Sequence, residues 1–193
     1  DIAPKEIEQL ANDYQALLIV DEAHSSGVIG ENLLGWFDYF DIKIKANHIK
    51  MGTLGKAYGS YGAYILTSKE TISFLENRAK SIIYTTAPSL IDIALGHEAL
   101  KYILKNSQKL KKKIQKRQKL IKKILGIEIP ALILPIEIND NKKVLELQEK
   151  LLSKGTLFGA IRQPTVPKAI IRVIAKLDIK IKDLKATLDH LKI

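Results

Sequence analysis

The first element legible in the chain is amphipathic. From Pro4 to Tyr14, Ile7, Leu10, Ala11 and Tyr14 recur at helical spacing, and Pro4 suits a first turn. Ala16 to Val20 is an unbroken apolar run, the pattern of a parallel strand buried on both faces. Glu31 to Phe40 predicts a short helix interrupted by Gly35, and His48–Thr53 and Tyr61–Thr67 predict two strands around a glycine-rich turn. Ser68 to Lys80 reads as a helix capped by Ser68, with Glu70 near its positive end. A long helix follows from Pro88 to about Leu125, with Ile103, Leu110, Ile114, Ile121 and Leu125 as its stripe and Gly126 as its stop.

The pattern then changes. A strand at Ala131–Ile138 leads into a helix capped by Asp140 and ended by Gly155. Strands at Thr156–Ile161 and Ile170–Ala175 and a last helix at Lys180–Leu191 complete a small α+β unit. The expected architecture is α/β, with one domain over 1–130 that ends in the long helix and a small C-terminal domain over 131–193.

Composition narrows the classes. No cysteine is present, which excludes disulfides and thiolate metal sites and suits a cytoplasmic protein. No apolar run approaches the ~18 residues of a membrane span. The chain opens on a helix with neither Met nor a signal-peptide pattern, which predicts a fragment. The net charge of +10 is concentrated: Lys101 to Lys123 carries 11 basic residues and no acid, and the rest is close to electroneutral. That segment reads as a solvated helix face rather than a nucleic-acid groove, since Tyr102 is its only ring.

The candidate chemistry lies in two stretches. The first, Val20-Asp21-Glu22-Ala23-His24, spells the metal-binding box of a helicase. Such a box needs a phosphate loop, G-x-x-x-x-G-K-[ST]. Before Gly55-Lys56 the first glycine position is Lys50, the hydroxyl position after it is Ala57, and the loop stands on the wrong side of the box. The spacing of Gly55, Gly59 and Gly62 also fails the dinucleotide fingerprint. Asp21, Glu22 and His24 are too few for a metal cluster, and His97 lacks the second histidine of a zinc helix. His48, His97 and His190 read as structural.

A pyridoxal-phosphate enzyme makes different demands. It needs a lysine in a tight turn for a Schiff base and an acid to keep the pyridine nitrogen protonated. Lys56, flanked by Gly52, Gly55, Gly59 and Gly62, suits the first, and Asp21 at a strand end suits the second. His24 could donate to the phenolic oxygen. The rival readings are a solvated turn lysine and a capping or core histidine.

The motifs "VDEAHSSGVIGENLLG", "GTLGKAYGSYGAYIL", "IIYTTAP" and "GAIRQPTVP" resemble the α-oxoamine synthase family of fold-type-I pyridoxal-phosphate enzymes, in order and spacing along nearly the whole chain. The resemblance implies the later part of a mostly parallel large-domain sheet followed by a small domain. It implies a homodimer that condenses an amino acid with an acyl thioester, on coenzyme A or acyl carrier protein, with loss of CO₂. No nucleic acid or membrane partner is implied. Residue by residue, Lys56 matches the Schiff-base lysine, Asp21 the ring-nitrogen partner, His24 the phenolic-oxygen partner and Thr53 a cofactor-binding threonine. Thr85 and Thr86 match hydroxyls that reach the phosphate in the neighbouring subunit. Thr165 matches a substrate contact, Arg162 shares its loop, and Arg172 matches the first of two alternating arginines. Ile174 stands where the family has the second, a position expected to hold a substrate carboxylate. The family also carries an N-terminal half with further cofactor contacts.

Overall fold

The computed structural model describes residues 4–191. The chain divides into two compact units, one ending at Lys111 and the other beginning at Lys112.

The first unit opens with helix α1 (Pro4–Asp13) and strand β1 (Leu18–Asp21). Helix α2 (Trp36–Tyr39), strand β2 (His48–Thr53) and strand β3 (Ala63–Leu66) follow, then helices α3 (Lys69–Arg78) and α4 (Lys80–Ile83). β2 is the centre of a three-stranded sheet: it runs parallel to β1 and antiparallel to β3. Its residues alternate between a buried face, with His48, Lys50 and Gly52, and a less covered one, with Ile49, Met51 and Thr53.

Three expectations are corrected here, and one short helix is added. β1 is parallel, but it is not buried on both faces: Ile19 is 66% exposed while Leu18 is buried. On α1 only Ala11 of the apolar stripe is buried, and Leu10 and Tyr14 are exposed. The helix expected over Glu31–Phe40 is confined to α2, because Gly35 (φ 105°) breaks the backbone direction and the Asp38 carboxylate accepts the Asn32 and Leu34 N–H groups into a loop. The single turn α4 follows Ala79, whose extended ψ of 101° ends α3; a turn that short leaves no periodicity to read.

Helix α5 (Leu90–Leu125) runs the expected course, and Gly126 (φ 73°) takes the left-handed conformation that stops it. Its C-terminal part belongs to the second unit. There Ile121 is fully buried in one apolar core with Leu134, Val144, Leu151, Ile171, Val173 and Leu188. The division between units therefore falls inside α5, whereas the change of pattern at position 131 marks only where strands resume. Strand β4 (Ile133–Glu137), helix α6 (Asn141–Ser153), strands β5 (Gly159–Ile161) and β6 (Ile170–Ile174) and helix α7 (Ile181–Asp189) complete the unit. The sheet order is β4-β6-β5, antiparallel throughout. Asp140 caps α6 by accepting from the N–H groups of Lys142 and Lys143, each at 2.8 Å.

The basic helix face is not uniformly solvated. Arg117 is buried and donates to the carbonyls of Lys113, Lys176, Leu177 and Ile179. Lys111 pairs with Glu31 and Lys122 with Glu128. Among the described residues no helix is long and apolar enough to cross a membrane.

Candidate active site

The parallel pair β1–β2 sets the site. Asp21 is opposite Met51 in the register, and Thr53 lies two residues further along β2. With side chains alternating along a strand, Asp21, Met51 and Thr53 share one face at the carboxyl end of the pair. Open α/β sheets bind ligands outside that end of their strands. Lys56 stands in the turn that leaves β2 at this end. The turn is held by Leu54 N–H to the Gly62 carbonyl (2.8 Å), Ser60 N–H to the Leu54 carbonyl (2.9 Å) and Gly59 N–H to the Lys56 carbonyl (3.2 Å). Gly59 (φ 61°) supplies the left-handed residue the turn requires. The Lys56 side chain is exposed.

Asp21, the last residue of β1, is exposed, and its Oδ1 accepts the Ala23 N–H at 2.8 Å, which orients the carboxylate at the strand end. The loop then winds tightly: the Glu22 carbonyl accepts the N–H of Ser25 (3.1 Å) and of Ser26 (3.0 Å). His24 lies exposed in this loop. Gly27 brings the loop against the lysine turn. Its φ is +80°, and a Cβ placed on it would meet the Ala57 Cβ at 2.4 Å. The residue after Lys56 therefore rests on backbone three residues beyond His24.

Thr53 supplies an independent observation. Among the described residues, two buried side-chain polar atoms have no hydrogen-bond partner, and one is its Oγ1. An orphaned buried hydroxyl is costly and calls for a partner. Its position beside the lysine turn and on the Asp21 face suits a polar cofactor. The donor set present here, a lysine amine, a carboxylate, an imidazole and this hydroxyl, matches what pyridoxal phosphate requires.

Glu22 points the other way. It is fully buried, and its carboxylate accepts from the Trp36 N–H (2.6 Å), the Phe37 N–H (3.3 Å) and the Ser25 hydroxyl (2.7 Å). Lys50 Nζ lies 3.4 Å from its Oε1 and donates to the Leu34 carbonyl. A Cβ on Gly35 would fall 1.5 Å from Glu22 Oε2, which demands glycine there. A carboxylate so committed is not available to a nucleotide metal, so the helicase reading of the four letters fails structurally as well. No group of three or more metal-ligating side chains occurs among the described residues.

A cavity of about 600 Å³ lies in the same unit, lined in part by Phe37, Lys50, Leu54, Tyr64 and Leu66. Lys50, Tyr64 and Leu66 belong to the sheet face opposite Asp21 and Thr53, and none of Asp21, Thr53 or Lys56 lines it. The candidate site is thus defined by its donors at the strand ends, not by the hollow on the opposite face of the sheet.

The other expected residues are not gathered there. Thr85 and Thr86 are exposed in the loop between α4 and α5. Arg162 and Thr165 are exposed in the loop after β5, where the Thr165 N–H donates to the Arg162 carbonyl at 3.0 Å and the Gln163–Pro164 bond is cis. Arg172 is on β6, opposite Gly159 and Pro135. It shares the exposed face with Ile174, while Ile171 and Val173 point into the core. The alternation expected of this strand is therefore present, with isoleucine at the second outward position. Sequence reasoning missed Ser26 and Tyr64, whose hydroxyls lie 3.1 Å apart, and the Glu22–Lys50 pair. The one local signal was Glu22 beside Asp21: on a strand end, neighbours face opposite sides.

Comparison with known proteins identifies the family. The family model described as aminotransferase class I and II matches residues 1–191. An 8-amino-7-oxononanoate synthase of Helicobacter pylori strain J99 is 45% identical over 197 aligned residues, covering 100% of this chain and 53% of that protein. Its counterpart in H. pylori strain 26695 is 48% identical over 179 residues, covering 93% and 47%. The chain spans about half the length of the curated relatives it matches. Among solved structures, 8-amino-7-oxononanoate synthase from Francisella tularensis superposes with a TM-score of 0.82 at 26% identity, covering 96% of this chain and 57% of that one. A serine palmitoyltransferase from Sphingomonas wittichii superposes at 0.87 with 19% identity, covering 100% and 50%, a likeness of fold.

Proposed function

From the premise that the chain belongs to the aminotransferase class I and II family, we propose that it carries the lysine-and-acid half of a pyridoxal-phosphate-dependent acyltransferase, an 8-amino-7-oxononanoate synthase. The reaction is the condensation of L-alanine with a pimeloyl thioester, with release of CO₂ and the free thiol, a step of biotin biosynthesis in the cytoplasm. The observation that carries the reading is the placement of Asp21 and the orphaned Thr53 hydroxyl on one sheet face, with the Lys56 turn leaving the same strand end.

Pyridoxal phosphate, when bound, supplies a protonated pyridine ring that withdraws the electron pair left at Cα when the amino acid loses a proton. Lys56 would hold the cofactor through its amine, and the same amine, once free, would take a proton from the substrate Cα. Asp21 would keep the ring nitrogen protonated; its Oδ1 is held by the Ala23 N–H at 2.8 Å, which supports a fixed carboxylate in that role. His24 would donate to the phenolic oxygen, and Thr53 would offer its hydroxyl to the cofactor. Thr85 and Thr86, exposed on their loop, would contact the phosphate group in the second subunit of a homodimer. Arg162, Thr165 and Arg172 bind substrate, whose thiol carrier is coenzyme A or acyl carrier protein.

The test is the whole protein loaded with pyridoxal phosphate and offered a panel of amino acids and acyl thioesters. Stoichiometric CO₂ and thiol from L-alanine and the pimeloyl thioester are expected. A preference for glycine with an acetyl thioester would assign the chain to glycine C-acetyltransferase chemistry instead. Absence of any cofactor band would remove the reading.

A further inference from the structure

Tyr64 occupies a position that the proposed chemistry leaves unused. On β3 it is opposite Gly52 of β2, on the sheet face turned away from Asp21 and Thr53. Its ring lies directly over Gly52: a Cβ there would be 2.3 Å from both the Tyr64 Cζ and its hydroxyl oxygen. The strand position next to Thr53 is therefore glycine because the tyrosine fills the space of a side chain. The ring brings its hydroxyl to 3.1 Å from Ser26 Oγ. Ser26 is buried in the loop that carries His24, and its own N–H is fixed by the Glu22 carbonyl. From the other side comes Tyr58, two residues beyond Lys56 and also buried; its ring meets that of Tyr64 edge-on, with centroids 6.3 Å apart at 79°. Burial, reinforced by Tyr64, pushes the Tyr58 phenol well above its ordinary range, so the group stays neutral.

We infer that Tyr64 is a positioning residue: its hydroxyl, through Ser26, locks the turn bearing Lys56 to the loop bearing Asp21 and His24. The backbone bonds of the lysine turn close on the turn itself and do not set its place against the neighbouring loop. Two sets of contacts can do so. One is Ala57 on Gly27. The other is a hydroxyl network: the Ser26–Tyr64 bond joins residues 38 apart in the chain, and the Tyr58 phenol, in the lysine turn itself, hydrogen-bonds with both of them. A phenylalanine would cover Gly52 as well as tyrosine does, so the hydroxyl is the part whose purpose is the bridge. Buried tyrosine hydroxyls find such partners because an unpaired one is costly. The chemistry needs the amine and the acid at a fixed separation, since a displacement of an ångström in a catalytic group is enough to slow a reaction markedly.

The inference rests on the proposed reading for its consequence in the cofactor site, but not for the lock itself. The experiment uses the whole protein, with Tyr64→Phe, Ser26→Ala and the double variant. Pyridoxal phosphate is the titrant, followed by the visible band and its pH midpoint. Amide hydrogen exchange is measured on the unloaded protein. Each single variant is expected to weaken cofactor binding about fivefold, the equivalent of one net hydrogen bond. The pH midpoint should move, and exchange should quicken over 22–27 and 54–60 only. The double variant should be no worse than either single one, as for two partners of one bond. Unchanged affinity and exchange in Tyr64→Phe would overturn the lock, as would additive losses or faster exchange spread over the whole molecule. Ser26→Ala keeps the ring over Gly52, so it decides the matter should Tyr64→Phe fold poorly. If the wild type takes up no pyridoxal phosphate, the functional reading fails while the exchange measurement still decides the lock.

Discussion

Both units bury apolar side chains, Leu33 and Phe37 of the first among them, but they differ in the polar groups they enclose. In the second unit Leu134, Val144, Ile171 and Leu188 are fully enclosed in one apolar cluster, and Arg117, the one buried cation among its described residues, is satisfied by four carbonyls. In the first, the fully enclosed positions around the sheet include Glu22 and His48, with Lys50 and Ser26 nearly so, while Leu10, Leu17 and Ile19 are open to solvent. The second unit is held by removal of apolar area from water. The first is organised by directed bonds, each with a required partner. The difference teaches where the chemistry can be held to tolerance. A hydrogen-bonded polar interior fixes the segment after β1 through few, directional contacts, each with a required partner.

The comparison is broken most severely by removing the chemistry itself. Lys56→Ala in the whole protein should abolish turnover together with the borohydride-reducible lysine–cofactor linkage. Asp21→Asn should cost far more activity than His24→Ala, because an amide cannot hold the ring nitrogen protonated. Labelling retained in Lys56→Ala, or equal rates for wild type and Asp21→Asn, would place the site elsewhere.

Next in size is the polar interior. Glu22→Ala strands Lys50 in a buried site and leaves the Trp36 and Phe37 N–H groups without their acceptor. Breaking a buried pair from one side costs about 3–5 kcal/mol. Denaturant unfolding of the 193-residue chain measures it. The apolar counterpart is Ile171→Ala, expected to cost about 2–5 kcal/mol. Ile19→Ala, on the open face of β1, should cost under ~0.5 kcal/mol. If Ile19 proved as costly as Ile171, the contrast between an open sheet and a closed core would be wrong.

What was legible in the sequence follows the same division. Local signals were reliable. The strand His48–Thr53 is observed over the same residues, and helix α5 ends at Leu125, where glycine forces a left-handed turn. Lys56 and Asp21 could be singled out because a glycine-flanked turn and a strand end are local features. Burial was not legible. The run Ala16–Val20 looks enclosed, yet alternate side chains of β1 face solvent, since an apolar run does not say how many layers cover it. Arg117 was counted among solvated charges because the carbonyls that hold it come from residues 176–179, far along the chain. The Ser26–Tyr64 and Glu22–Lys50 contacts were invisible for the same reason: both join residues brought together only by the sheet register.

The smallest effect is a pH dependence, and it separates the two interiors without touching the site. His48 is enclosed beside Phe37, with ring centroids 5.4 Å apart, and its Nδ1 accepts the Lys45 N–H at 3.1 Å. That bond assigns the proton of the neutral ring to Nε2, which lies 3.7 Å from Glu8 Oε1 and has no hydrogen-bond partner. Protonating Nδ1 would break the bond from Lys45 and bury a charge. Burial accordingly holds the His48 pKa below its ordinary value of 6.5, against the pull of Glu8. The folded state then prefers the neutral ring, so the contribution of His48 is complete above the unfolded value of 6.5 and is lost as the pH falls from there through the lowered value. Glu8, held below 4.5 chiefly by hydrogen bonds from Lys45 and Asn12, loses its contribution only in the more acid range beneath 4.5. The two windows are therefore distinct. Unfolding midpoints measured from pH 7.5 downward should begin to fall near 6.5 in the wild-type chain, and His48→Gln should flatten that first limb while leaving the second below 4.5. A first limb unchanged in His48→Gln would remove the polar interior of the first unit as its cause.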